Sequence, residues 1–596
     1  MDQRISTPVS YEPACLERLA SAWQGLVSRD DPAQEKASAH WDKLLNALLG
    51  ATTAYISPAA VGLAFTDWAL HLTFSPSRRE LLLLKAWKKY LRWLMLAQHP
   101  LEESCCIDPL PQDKRFADPA WRRWPYKQIY QGFLLQQQWW HVATTAVPGM
   151  SQHHEHVVNF ITRQILDMMA PSNFVCTNPV VQQATMKAGG RNLVRGFRRF
   201  TADLSEQLSP STSKHLTTPV GNSVAVTPGK VIYRNRLIEL IRYAPQTENV
   251  HSKPLLFVPA WIMKYYILDL SPHNSLVNYL VQHGHSVYMI SWRNPGEEDR
   301  DLSMEDYREL GVMAAVEAVC ADSGATSINT VGYCLGGTLL AIAAAAMARD
   351  RDPRINSISL FASQVDFKEP GELSLFIDDS EVNYLEACMW HRGYLDTSQM
   401  AGAFQLLRSN DLIWSRVLRS YLLDLPEPSN DLMAWNADAT RMPYHMHSEY
   451  LRSLFLQNDL AEGRYRVGDR GISLSDIEAP VFCVATLMDH VAPWRSVYKI
   501  QQLVRAPIDF LLTSGGHNAG VVSPPDITGR HYQLAQHSPN QGYMDPDTWC
   551  ATTPSSLGSW WPAWETWLGQ RSGKEHAPES ISPAICDAPG TYVYQR

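Results

Sequence analysis

Six residues, Gly332-Tyr333-Cys334-Leu335-Gly336-Gly337, constrain this chain more than any others, because they spell a sharp turn with a nucleophile at its apex. The pattern Gly-x-nucleophile-x-Gly requires a strand before it and a helix after it. Both are legible. Ser327-Ile328-Asn329-Thr330-Val331 is a short β-branched run expected to form a buried strand, and Thr338 through Ala346 is expected to form a buried helix. Glycines at such a turn relieve crowding around a nucleophile whose own backbone is strained. Cysteine stands at 334 where this pattern more often carries serine. A free thiol has a pKa of about 8.5, which a helix N-terminus and a nearby imidazole can lower. Such a thiolate suits acyl exchange with thioesters better than attack on amides. The pentapeptide is short, and buried cysteine is a common small core residue, so the assignment depends on what surrounds it.

The same architecture orders its triad as nucleophile, acid, histidine. Pro480 through Met488 is an apolar run that stops at Asp489, and Ile508 through Thr513 leads through Ser514-Gly515-Gly516 to His517. His517 is the expected base for the Cys334 thiol, with Asp489 orienting and charge-stabilising the imidazole. His490 is the rival base, but it directly follows the acid and is expected to face away from it. Taken singly, Asp489 reads as a loop cap and His517 as a solvated turn residue. Three such groups at strand ends in the required order point to a site. An oxyanion hole needs one N–H after the nucleophile and one after an earlier strand. Leu335 supplies the first. Lys253 through Val258 reads as that strand, and the second donor is expected at or beside Ile262 in Pro259-Ala260-Trp261-Ile262-Met263-Lys264, which otherwise reads as a packed aromatic turn.

With these residues in place the chain closely resembles the polyhydroxyalkanoate synthases, which polymerise 3-hydroxyacyl-coenzyme A into polyester. The resemblance runs from about Arg115 to about Leu568 and is carried by Arg115-Phe116-Ala117-Asp118-Pro119-Ala120-Trp121, Thr227 through Asn235, Ser291-Trp292-Arg293-Asn294-Pro295, Asn410-Asp411-Leu412-Ile413-Trp414, Asp489 through Trp494, Gly516-His517-Asn518-Ala519-Gly520 and Gly558 through Pro562. It implies an α/β-hydrolase fold with an inserted lid behind a mainly helical N-terminal region. It also implies Cys334, Asp489 and His517 as catalytic residues, no cofactor beyond coenzyme A as leaving group, a homodimer, and contact with a polyester granule. The family's oxyanion loop usually reads Pro-Pro-Trp-Ile-Asn-Lys, whereas Ala260 and Met263 stand here, a departure that bears on pocket shape. Tyr55 through Ala60 and Asp67 through Leu72 resemble a helical extension found on a subset of these synthases. A cysteine-dependent thioesterase or depolymerase, and a weakly active accessory paralogue on granules, are the alternatives.

Composition narrows the setting. A net charge of −8 argues against nucleic acid or anionic lipid as a general partner. The ten cysteines include no CxxC pair, and only Cys105-Cys106 are adjacent, which suits a reducing compartment. The sequence starts without the apolar core of a signal peptide, and no stretch approaches the roughly 20 apolar residues of a membrane span. A cytoplasmic enzyme is expected.

Four regions follow: a helical extension over 1–112, with amphipathic pieces at Trp41 to Leu49 and Leu81 to Leu96; a helical layer over 113–215 ending in a linker at Ser209 through Ser213; a catalytic domain over 216–570 with its lid at about 367–445; and a tail over 571–596. The catalytic domain is expected to hold a parallel sheet with crossovers, and the lid to follow its sixth strand. His153-His154-Glu155-His156 is expected to be a helix start capped by Ser151 rather than a metal site, because adjacent histidines point to different sides of a helix. Trp560, Trp561, Trp564 and Trp567 recur at helical spacing and are expected to face the core.

Overall fold

A computed structural model describes residues 43, 46, 50, 53, 55–98, 106–110, 113–208, 220–397, 399–400, 409, 413–426, 430–539, 541–580 and 583–596. The linker at 209–213, most of Trp41 to Leu49, and Asn410-Asp411-Leu412 lie outside the described residues.

An eleven-stranded sheet organises the catalytic domain. Its strands in chain order are β1 (Gly229–Arg234), β2 (Ile238–Tyr243), β3 (Leu255–Val258), β4 (Val287–Trp292), β5 (Ile328–Tyr333), β6 (Ile355–Phe361), β7 (Val481–Thr486), β8 (Ile508–Thr513), β9 (His531–His537), β10 (Ser555–Leu557) and β11 (Cys586–Asp587). They lie side by side as β10-β9-β8-β7-β6-β5-β3-β4-β2-β1-β11. The six strands from β4 to β8 in this spatial order pair in parallel. Every residue of β3, β4, β5 and β7 is buried, as strands covered on both faces require. The parallel-crossover pattern fails at the flanks, where β1, β2, β9, β10 and β11 join antiparallel. Between β1 and β2 the reason is local. Asn235 Oδ1 accepts the N–H groups of Leu237 and Ile238, closing a turn far too short for a crossover.

The expected tail is part of the sheet. β11 pairs with β1, Glu575–His576 pairs with Val250–His251, and the buried Glu239 carboxylate accepts from the N–H groups of Thr591 and Tyr592. The catalytic unit therefore continues past 570. The insertion after β6, the sixth strand, also exceeds the expected bounds. The sheet resumes only at Val481, and the helical run Tyr444–Leu456 continues through 445 because nothing in Tyr444-His445-Met446-His447 breaks a helix.

On the N-terminal side, helices α1 (Pro58–Thr73), α2 (Pro76–Gln98), α3 (Tyr126–Thr144), α4 (Gln152–Met168) and α5 (Arg191–Leu208) form a layer over the insertion. Ser57 and Ser151 accept from Ala60 N and His154 N, capping α1 and α4 as their sequences direct. His153 and His154 point apart, to Asp378 and Asp67. Trp87 and Met95 on α2, and Val194 and Phe197 on α5, remain exposed. No helix among the described residues is long and apolar enough to cross a membrane.

Candidate active site

Cys334 sits between β5 and helix α6 (Leu335–Arg349) with φ +52° and ψ −125°, a conformation that costs a non-glycine residue on the order of 1–3 kcal/mol. Its surroundings hold it there. Gly336 lies so close to the end of β3 that a Cβ would come within 2.1 Å of the Val258 carbonyl oxygen, and one on Gly332 would come within 2.3 Å of Gly337 Cα. Only glycine lets the start of α6 approach both the strand and the loop after it. The helix behind the turn is buried from Gly336 through Met347 and anchors the elbow through packing, aided by Thr338 Oγ1, which donates to the Gln364 carbonyl at 2.7 Å.

The acid and the histidine come from neighbouring parallel strands. Asp489 lies three residues beyond β7, and His517 lies in the loop after β8. The loops are tied by backbone bonds from Leu487 N to Thr513 O and from Met488 N to Gly515 O, at 2.9 and 2.8 Å. His517 Nδ1 is 2.8 Å from Asp489 Oδ2, and the Cys334 side chain is close enough to the ring to raise its pKa. With Nδ1 engaged by the carboxylate, Nε2 is the ring nitrogen that can exchange a proton with a neighbouring group. Asp489 is fully satisfied: Val491 N and Ala492 N donate to Oδ1 at 2.9 and 2.8 Å, and Thr486 Oγ1 donates to Oδ2 at 2.9 Å. Burial pushes this carboxyl up, but the imidazole and these donors together hold it below the ordinary aspartate value. Burial likewise pushes His517 down, yet the Asp489 charge and the Cys334 side chain raise it well above an ordinary histidine. His517, rather than His490, thus holds the position expected of the base.

Trp-rich helix α8 (Trp561–Gly569) and the preceding Trp560 buttress the histidine loop and the sheet beneath it, because each indole N–H finds a specific acceptor. Trp560 and Trp561 donate to the carbonyls of Gly520 and Val521, Trp564 donates to Ser359 Oγ, and Trp567 donates to Asp509 Oδ2. These residues face the core, as their spacing implies.

Leu335 is the first residue of α6, so its N–H has no intrahelical acceptor. Leu335 and Ile262 line the same cavity as Cys334. The Ile262 loop is clamped on two sides. Thr440 N donates to the Ile262 carbonyl at 3.0 Å, and the Trp435 indole donates to the Lys264 carbonyl at 2.6 Å. From the C-terminus, the carbonyls of Tyr592 and Gln595 accept from Lys264 Nζ at 3.2 and 2.8 Å. Burial lowers this lysine to about 8, against the opposing pull of Asp438.

The cavity at Cys334 has a volume of about 160 Å³ and an apolar lining that includes Leu373, Phe376, Leu385, Met400, Leu451 and Phe455 from the insertion. Sequence reading missed four of its lining residues. Glu381 lines the cavity as a buried carboxyl pushed up to about 7 by burial, against the Ser57 N–H that bonds it. His447 is buried with Nδ1 lacking any partner and is held down at about 4 by burial. Tyr55 and Ile56 reach in from the N-terminal extension. No spacing rule links such residues to Cys334, since they meet it only through tertiary packing.

Two family models cover the N-terminal half: one described as the poly-beta-hydroxybutyrate polymerase N-terminus over residues 112–280, and one as poly-beta-hydroxybutyrate polymerase N terminal over 36–78. A poly(3-hydroxyalkanoate) polymerase of Methylorubrum extorquens is 41% identical over 500 residues, 82% of this chain and 81% of that one. The chain belongs to the polyhydroxyalkanoate synthase family. The poly(3-hydroxyalkanoate) polymerase subunit of Cupriavidus necator is 35% identical, covering 84% of this chain and 85% of its own. An alpha/beta hydrolase fold model matches residues 253–524, as the sheet and elbow require. This family membership makes the chain an acyltransferase.

Proposed function

We propose that this enzyme polymerises (R)-3-hydroxyacyl-coenzyme A into polyester through a covalent Cys334 acyl-enzyme. The observation that carries the reading is the hydrogen-bonded Asp489–His517 pair beside Cys334, which lines an apolar cavity shared with the insertion. His517 takes the thiol proton, and the sulfur attacks the thioester carbonyl. The Leu335 and Ile262 N–H groups receive the oxyanion, the carbon–sulfur bond to coenzyme A breaks, and His517 returns the proton to the departing thiolate. An imidazolium stabilised by a buried carboxylate makes the first proton transfer favourable.

The 3-hydroxyl of a second acyl unit, or of the growing chain, then gives its proton to His517 and attacks the acyl-enzyme. The new ester forms as the Cys334 carbon–sulfur bond breaks. Water would give free hydroxy acid instead, so the apolar lining decides between polymer and hydrolysis. Coenzyme A is only a leaving group, and no cofactor takes part. The enzyme works in the cytoplasm as a homodimer on its granule, with the exposed apolar residues of α2 and α5 offering surface to the polyester.

The test is coenzyme A release from 3-hydroxybutyryl-coenzyme A by purified protein and by Cys334→Ala, with polymer and free acid both quantified. Release with insoluble polyester, absent from the variant, is expected. Release with free acid alone would make the enzyme a thioesterase. No release from short or long acyl thioesters would favour an accessory role.

A further inference from the structure

The cavity at Cys334 is also lined by Tyr55 and Ile56, which belong to the N-terminal extension and not to the catalytic domain. They are held there specifically. Ser57 N–H donates to both carboxylate oxygens of Glu381, at 3.1 and 2.9 Å, and Thr53 Oγ1 lies 3.1 Å from Tyr384 Oη. Tyr55 N donates to the Gly50 carbonyl at 2.9 Å, and a Cβ on Gly50 would meet both Cys388 Sγ and the Tyr55 ring at 2.9 Å. Glu381, Tyr384 and Cys388 recur at helical spacing on α7 (Asp379–Trp390), so the extension docks along one face of a helix in the insertion. The same helix is gripped at its start by His153 of α4 through Asp378, at 3.2 Å. Ring contacts add to this, with Phe160 of α4 meeting Phe376 edge-on at 5.8 Å.

Of the two sides of this cavity, only one is free to set the size of what enters. Cys334, Leu335 and Ile262 are tied to the chemistry, so changes there alter catalysis first. Tyr55 and Ile56 border the cavity without bonding to Cys334, Asp489 or His517, and so can vary without disturbing the reacting atoms. An aromatic ring packed over Gly50 and Cys388 also makes a stiff wall, since it cannot retreat without opening a void.

We propose that Tyr55 and Ile56 are specificity-determining residues that limit the length of the 3-hydroxyacyl side chain accepted at Cys334. The proposal rests on the polymerase reading for its substrate class. In a fitted apolar pocket, one methylene more or less changes kcat/KM by about tenfold or more.

The experiment measures kcat/KM of the full-length enzyme for (R)-3-hydroxybutyryl- and (R)-3-hydroxyoctanoyl-coenzyme A, in wild type, Tyr55→Ala, Ile56→Ala and Tyr55→Phe. The two alanine variants are expected to raise the octanoyl-to-butyryl ratio about tenfold, and Tyr55→Phe to keep the wild-type ratio. Tyr55→Leu replaces Tyr55→Ala should the latter fail to fold. A ratio within twofold of wild type in the folded truncation variants overturns the proposal. A second readout does not need turnover: the rate of Cys334 alkylation by N-ethylmaleimide and by N-octylmaleimide, followed by peptide mass spectrometry. Truncating Tyr55 should accelerate the long reagent selectively, and equal acceleration of both reagents, or of neither, would overturn the proposal. If wild type releases coenzyme A from neither thioester, the polymerase reading fails while the alkylation result still judges the wall.

Discussion

The two sides of the cavity at Cys334 are built by different means. On the sheet side, Cys334, Asp489 and His517 stand at or just beyond the ends of the parallel strands β5, β7 and β8, and backbone hydrogen bonds and buried packing set their positions. On the other side, short helices of the insertion and one turn of the N-terminal extension meet through side-chain bonds between segments remote in sequence, such as Ser57 to Glu381 and His153 to Asp378. Side chains placed by a ladder are costly to move, whereas those placed by a few polar contacts shift when one contact is lost. We accordingly place chemistry on the first side and selection on the second.

The comparison is broken most severely at the nucleophile. Cys334→Ala is expected to abolish coenzyme A release, by at least about 10⁴-fold, while thermal unfolding shows the fold intact. Asp489→Asn should follow, with kcat lower by about 10³- to 10⁴-fold, because the amide no longer fixes the imidazole tautomer or stabilises its charge. Steady-state thiol release measures both.

The same pair makes a prediction about pH. The folded pKa of His517 is raised, so its contribution to stability is fully present below the unfolded histidine value of about 6.5 and is lost as pH rises through the raised value. The folded pKa of Asp489 is lowered, so its contribution is present above the unfolded value of about 4 and is lost as pH falls through the lowered one. Thermal unfolding of wild type should therefore weaken at both the acid and the alkaline ends. Asp489→Asn should flatten both limbs, and an unchanged profile would contradict the pairing.

Lys264→Met probes the seam between the two sides. It removes the charged donor from the half-buried carbonyls of Tyr592 and Gln595, at about 1.5–3 kcal/mol for a hydrogen bond to a charged group, and loosens the Ile262 loop. A displacement of about 1 Å in such a loop can cost on the order of 10²-fold, so kcat should fall about ten- to a hundredfold with KM little changed. Smallest is Ser57→Ala, which removes the cap of α1 at about 1 kcal/mol. Hydrogen exchange should quicken at the start of α1 and not at the elbow. Faster exchange at both would show that the two sides are one cooperative unit.

The part of the fold nearest the chemistry was the most legible. Strand β5, helix α6 and the positions of Asp489 and His517 follow from local signals: glycines that only a tight turn needs, apolar runs of strand length, and a fixed order of functional groups. Flanking structure was less so. The antiparallel β1–β2 turn, the edge strand β11 and the helical run through Tyr444–Leu456 carry the same kinds of residues as their alternatives, and pairing partners far along the chain decided among them.

Sequence alone therefore determined the elbow, the helix that supports it, and the strand ends at which Asp489 and His517 stand, since each depends on residues close beside it in the chain. Only tertiary structure decided what surrounds the thiol: that a turn at Tyr55-Ile56, a buried Glu381, an unpartnered His447 and the last residues of the chain converge on one cavity or its oxyanion loop. The physical reason is that burial and side-chain bonding between distant segments leave no periodic trace in the segments themselves, whereas a strained turn must write its glycines into the sequence beside it.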